Sequence, residues 1–192
     1  ILDYDYLADR PCKHSGLTRI ATLVEQGRAE AQGGPESCLL LDNGDILQGN
    51  PLGDYAAALI AKGKRDLHPA MAVMNRMGYD AAALGNHDFD YGLPCLQRVL
   101  AQAAFPFVAA NLRLRRGQDL PDHVILRRQL RDQAGRRRWL RIGITGFLPP
   151  QTPQWNPDLA RHLDCIDIID AAYDVLPRMR ARGAQLIIAL AH

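Results

Sequence analysis

No apolar run in this sequence approaches the roughly 20 residues that a membrane-spanning helix requires. There is no CxxC pair either. Cys12, Cys38, Cys95 and Cys165 are scattered, which argues against a zinc ribbon or a thioredoxin-like redox site. Cys38 lies in an apolar run and reads as a core residue, while pairing among the other three stays open. Internal repeats, low-complexity tracts and linker-like stretches are missing, and disordered, collagenous and coiled-coil compositions are excluded with them. Lysine is scarce as well: three lysines stand against 20 arginines, in a total of 23 basic and 21 acidic side chains and a formal net charge of +2. No charged–apolar–small leader opens the chain at Ile1, so the sequence by itself names no compartment.

What is present is ordinary globular material. The 192 residues are 47% apolar and 23% charged, close to one typical domain and enough for a real core. One domain over residues 1–192 is the expectation. Ten of the arginines fall between positions 113 and 141. That stripe alternates with apolar partners and contains local turns, the pattern of a solvated hairpin rather than of a phosphate-backbone-binding surface. Nucleic acid is therefore not an expected partner.

Leu17, Ile20, Leu23, Val24 and Arg28 have helical spacing, with Ser15 as a candidate N-cap and Gly33-Gly34-Pro35 as the stop. Residues 38–41 form a short continuous apolar run, which predicts a strand buried on both faces. It ends abruptly in Asp42-Asn43-Gly44-Asp45. Helices are predicted over 56–60 and 71–77. A second buried strand over 81–84 then runs into Gly85-Asn86-His87-Asp88. A helix over 93–103 and a third strand over 107–110 follow. From 123 to 144 the apolar period becomes two on either side of a turn at 132–135, which predicts an antiparallel hairpin. A long helix over 166–182, stopped by Gly183, leads to a last strand over 186–190 and directly to Ala191-His192. Strands alternating with helices predict an α/β fold with a largely parallel sheet inside helical layers.

In such a sheet ligands bind outside the carboxyl ends of the strands. There the first strand delivers Asp45, the second Asn86 and His87, and the last His192. All are competent donors to a divalent cation. Each also has a plainer role: Asp45 closing an Asn-Gly-Asp turn, Asn86 capping the next helix, His192 being only a terminal residue. The plain roles must hold at three strands at once, whereas one metal site explains all three. The remaining histidines read as structural, with His68 before Pro69 starting a helix, His14 at a helix entry, and His123 and His162 in polar, surface-like stretches.

These residues also carry a family resemblance. Leu40-Leu41-Asp42-Asn43-Gly44-Asp45-Ile46-Leu47-Gln48-Gly49-Asn50-Pro51-Leu52-Gly53 resembles the GD block of calcineurin-like metallophosphoesterases. Gly85-Asn86-His87-Asp88-Phe89-Asp90 looks like their GNH-[ED] block, and Leu190-Ala191-His192 resembles their strand ending in a metal-binding His. Within that superfamily the segment from Gln48 to Asp54 and the pair His68-Pro69 are most similar to the bacterial 2′,3′-cyclic-nucleotide 2′-phosphodiesterase/3′-nucleotidases, with 5′-nucleotidases next.

The resemblance implies a metallophosphoesterase-type layered sheet with flanking helices and a site for two divalent ions, for which manganese, zinc, magnesium or iron would serve. Asp45 would bridge the two ions, and Asn86 and His192 would bind the second. His87 would act on the substrate phosphate or its leaving oxygen, oriented by Asp90. Asp88 faces the other way in the family pattern, where Glu is commoner. Two such cations clamp phosphoryl oxygens and lower the pKa of a bridging water. The family's opening Asp-x-His block, its closing Gly-His-x-His block and its C-terminal nucleotide-binding domain have no counterpart in these residues. The expectation is a catalytic domain truncated at both ends, whose partners are a small nucleotide and its own C-terminal domain. A periplasmic or cell-surface location is implied by the resemblance alone.

Overall fold

The computed structural model describes residues 3–14, 16–31, 33–64 and 66–192. The elements run in this order: β1 (Tyr4–Asp5), β2 (Arg10–Pro11), α1 (Leu17–Glu30), β3 (Leu41–Asp42), α2 (Pro51–Ala61), α3 (Pro69–Met77), β4 (Ala81–Ala83), α4 (Leu93–Leu100), β5 (Phe107–Val108), β6 (Leu112–Leu114), β7 (His123–Arg131), β8 (Arg137–Phe147), α5 (Thr152–Trp155), β9 (Leu163–Cys165), α6 (Ile168–Ala181) and β10 (Leu186–Ala191). The candidate cap Ser15 lies outside the described residues. Gly16 occupies the N-cap position of α1, at φ 112°.

The mixed α/β class is as expected, but the strands do not form one sheet. Two three-stranded sheets carry the fold, in the orders β3-β4-β5 and β10-β8-β7. The first is parallel throughout. In the second, β10 runs parallel to β8, and β7 joins β8 in the expected hairpin, with Leu126 opposite Ile142. The sheets meet through Ala81 and Val108 on one side and Ile142 and Ile144 on the other. Small residues let them approach. A Cβ on Gly146 would come within 2.4 Å of the Val108 carbonyl oxygen and 2.8 Å of the Ala83 Cβ. This is why three alanines, weak strand formers by propensity, make β4, all of them fully buried.

The helices behave as amphipathic elements. α3 buries Met71, Met74 and Met77 and ends at Gly78 in the left-handed region, φ 68°, as a C-terminal glycine stop requires. The His68 ring nitrogen caps its first turn by accepting from the Ala70 N–H. α6 is capped by Asp167 and packs Ala171, Val175 and Met179 against Phe147.

Three expectations need correction. The run from Cys38 to Leu41 is not a doubly buried strand: only Leu41 and Asp42 pair, and both are half-buried. Just upstream, the Leu40 N–H bonds to the Asp80 carboxylate instead of a neighbouring strand. Cys38 is half-buried rather than core. His123, expected at the surface, is buried. Its Nδ1 meets the Asp122 carboxylate at 2.6 Å and its Nε2 meets Arg182 at 3.3 Å, so polar neighbours in sequence become its partners in the interior. The arginine stripe is partly neutralised locally: Arg128 pairs with Asp80, Arg136 and Arg138 with Asp132, Arg115 with Asp164, and Arg127 lies over the Trp139 ring.

Candidate active site

The loop after β3 turns sharply enough to place Gly44 at φ 98° and Asp45 at φ 63°. A left-handed non-glycine residue costs about 1 kcal/mol, so something must hold Asp45 there. The answer lies in the loop after β4. The Asp88 carboxylate is 1% exposed and accepts the N–H groups of Asp45, Ile46, Leu47 and Gly85 at 2.9–3.2 Å. Burial pushes the Asp88 carboxyl up, and these N–H bonds pull it back. The two loops touch so closely that a Cβ on Gly44 would lie 2.2 Å from the Gly85 nitrogen. One on Gly85 would lie 2.1 Å from Asp45 Oδ1. Both glycines are obligatory for this approach.

Held this way, the Asp45 side chain faces two histidine-bearing segments. Its Oδ1 accepts the backbone N–H of His87 at 2.8 Å. Its Oδ2 stands 3.0 Å from His192 Nε2. The His192 ring is oriented by its Nδ1, 2.7 Å from the Asn43 carbonyl oxygen. A carbonyl can only accept, so Nδ1 carries the proton and Nε2 is left with a lone pair aimed at a carboxylate. Two lone pairs 3.0 Å apart call for a positive charge between them, either a second proton or a cation. The Asn43 amide closes the junction by donating to the Ala191 carbonyl oxygen at 2.8 Å, tying the end of β10 to the end of β3.

Nearby charge points the same way. Burial pushes the Asp42 carboxyl up to about 6, with its Gly44 hydrogen bond and the nearby His192 opposing and the negative charges of Asp88 and Asp45 adding to the rise. Carboxylates crowded together in low dielectric favour a bound cation. The donor set, carboxylate plus imidazole with an orienting carbonyl behind it, fits a divalent metal. Among the described residues, however, no three His, Cys, Asp or Glu side chains gather as a metal cage. The third donor expected from the sequence is the amide of Asn86. That residue sits half-buried at the head of the 3-10 turn His87–Phe89, and its side chain makes no capping hydrogen bond there.

His87 is exposed, with its Nδ1 2.9 Å from Asp90 Oδ2. That hydrogen bond holds the imidazole above its usual pKa, Asp90's charge adding to the effect. The pair is linked to α2 by the next residue, since the Tyr91 hydroxyl donates to the Asp54 carboxylate at 2.7 Å. Sequence reasoning missed the buried role of Asp88 and the second role of Asn43. Both act through backbone groups, which leave no mark in a residue pattern. The structure thus brings Asp45 into contact with His192 and with the His87 backbone, and Asp90 into contact with the His87 ring.

No protein-family profile matches the sequence. Individual relatives do. The chain is 40% identical over its whole length to the trifunctional nucleotide phosphoesterase protein YfkN of Bacillus subtilis, of which it covers 13%. It is 38% identical, again over its whole length, to the 2′,3′-cyclic-nucleotide 2′-phosphodiesterase/3′-nucleotidase of Haemophilus influenzae, of which it covers 29%. It therefore spans less than a third of the curated relatives it matches. Among solved structures, the calcineurin-like phosphoesterase YfkN from Bacillus subtilis superposes with a TM-score of 0.89 at 40% identity, covering all of this chain and 58% of that one. Shared sequence, shared fold and the loops just described lead to one assignment: this chain belongs to the calcineurin-like phosphoesterases of the 5′-nucleotidase family.

Proposed function

We propose that this chain is part of the catalytic domain of a metal-dependent nucleotide phosphoesterase, acting on 2′,3′-cyclic nucleotides and 3′-nucleotides. The observation that carries the reading is the junction of Asp45 with His192 at 3.0 Å, to which the His87 N–H is joined. The substrate class rests on the names of the relatives with the higher identities; those named 5′-nucleotidase match at 34% or less. The lengths of the relatives support a longer protein with a further domain. Periplasmic or cell-surface location belongs to the same proposal.

In this reading Asp45, Asn86 and His192 would hold divalent metal. Bound metal would supply Lewis-acid stabilisation of phosphoryl oxygens and an ionised water. The protein's own groups do the rest. The Asn43 carbonyl keeps His192 in the tautomer whose Nε2 is free to bind. His87, exposed and hydrogen-bonded to Asp90, retains its proton to higher pH than a free imidazole. It can give that proton to the ribose oxygen as the phosphoester breaks.

The test is hydrolysis of 2′,3′-cyclic AMP, 3′-AMP and 5′-AMP by the full-length protein, metal-stripped and then supplied with Mn2+, beside its His87→Ala variant. Metal-dependent turnover of the first two, lost in the variant, supports the proposal. Turnover of 5′-AMP alone would move the assignment to a 5′-nucleotidase. No turnover with any divalent ion would make the chain a non-catalytic relative.

A further inference from the structure

We infer that Asp88 is the positioning residue of this site: its carboxylate sets the direction of the Asp45 carboxylate without itself touching metal or substrate. The inference rests on the metal reading above. Its geometric basis does not. Oδ1 of Asp88 takes the N–H groups of Ile46 and Leu47, and Oδ2 takes those of Asp45 and Gly85. A carboxylate has about four good acceptor positions, so all are filled. Buried and saturated, Asp88 has no lone pair left for a cation and no access to a substrate. It is therefore excluded as a ligand or general base, although it stands two residues from Asn86 and directly after His87.

What those four bonds fix is the relation between two loops. Here three consecutive amides, those of Asp45, Ile46 and Leu47, point at one carboxylate because the chain turns through Asp45 in the left-handed region, φ 63°. The same carboxylate binds the Gly85 N–H, which anchors the loop carrying Asn86 and His87. The backbone of Asp45 is thus oriented from behind. Its side chain is left facing His87 N–H at 2.8 Å and His192 Nε2 at 3.0 Å. Released from Asp88, Asp45 would relax toward the ordinary right-handed or extended region, and its carboxylate would swing away from both.

The test uses the metal-stripped full-length protein and three forms of residue 88: wild type, Asp88→Asn and Asp88→Glu. Asn keeps the shape but replaces one acceptor with a donor facing N–H groups. Hydrogen exchange reads the clamp without metal, and calorimetric titration with Mn2+ reads its consequence. In D88N the amides of Asp45, Ile46 and Leu47 should exchange about tenfold faster or more, and Mn2+ affinity should fall about tenfold or more. In D88E, which keeps the charge and both acceptors, both readouts should lie between D88N and wild type. Should D88N fail to fold, D88E carries the comparison alone.

Unchanged exchange would overturn the inference. So would lost protection with wild-type Mn2+ affinity, because Asp88 would then be a loop fastener with no hold on the ligand. A wild-type protein that binds no divalent ion would instead sink the functional proposal, leaving the exchange arm to judge the clamp.

Discussion

His192 Nε2 stands 3.0 Å from Asp45 Oδ2, so the last residue of the chain meets the loop after its first central strand. β10 and β3 belong to different sheets, and this contact, with the hydrogen bonds of Asn43, joins them at their carboxyl ends. Replacing Asp45 with Asn keeps the shape and removes the negative charge. Metal-dependent turnover by the full-length protein should fall about a hundredfold, the upper scale of losses when groups around a metal are altered. Steady-state kinetics with saturating Mn2+ check it.

The His87–Asp90 pair makes a pH prediction. Asp90's hydrogen bond raises the His87 pKa, so Asp90→Asn should lower it. If the protonated imidazole donates to the leaving oxygen, activity falls as pH rises through that pKa. The alkaline limb of the kcat/KM profile should then move to lower pH in D90N. The rate at neutral pH should drop about tenfold to a hundredfold, less than the roughly 10²–10⁴ that a general acid contributes, because His87 itself remains.

Acid stability should depend on Asp122. Burial pushes its carboxyl up, but hydrogen bonds from Arg178 and His123 outweigh that and hold it below the usual carboxylate range. A carboxyl lowered in the folded state stabilises the protein above its unfolded pKa, about 3.9, and that contribution disappears as pH falls through the folded value. Asp122→Asn should therefore cost about 1 kcal/mol at pH 7, given that Arg178 is half exposed. The gap should narrow as pH falls below the unfolded value and vanish once pH passes the lowered folded one. Urea denaturation across that acid range measures it.

Gly146→Ala probes the contact between the sheets. Its new methyl would meet the Val108 carbonyl oxygen and the Ala83 Cβ, both on rigid strands that cannot yield cheaply. Destabilisation of about 1–3 kcal/mol is expected from overpacking, measured as a shift in denaturation midpoint with an unchanged slope.

Long, periodic elements were legible in the sequence, and short ones were not. The alternation through Leu140, Ile142 and Ile144 marks β8, whose second half is buried, and the run from Leu186 marks β10, although that strand is half-buried to exposed rather than covered on both faces. Residues 38–41 misled because an apolar run signals burial, while a strand needs backbone partners. Here the Asp80 side chain takes the Leu40 amide in place of a neighbouring strand. His123 misled for the opposite reason, since its polar neighbours turned out to be its hydrogen-bonding partners in the interior. At the site, the residues at the strand ends were readable as donors. The clamp through Asp88 was not, because its partners are four amides that any residue could supply.

The central claim is that Asp45, Asn86 and His192 share a divalent cation, and the most direct measurement is anomalous diffraction from crystals of the full-length protein soaked with Mn2+. The account predicts a peak within about 2–2.5 Å of an Asp45 carboxylate oxygen, the Asn86 amide oxygen and His192 Nε2. A soaked crystal in which His192 and Asp45 still contact each other directly, with manganese elsewhere or absent, would contradict it.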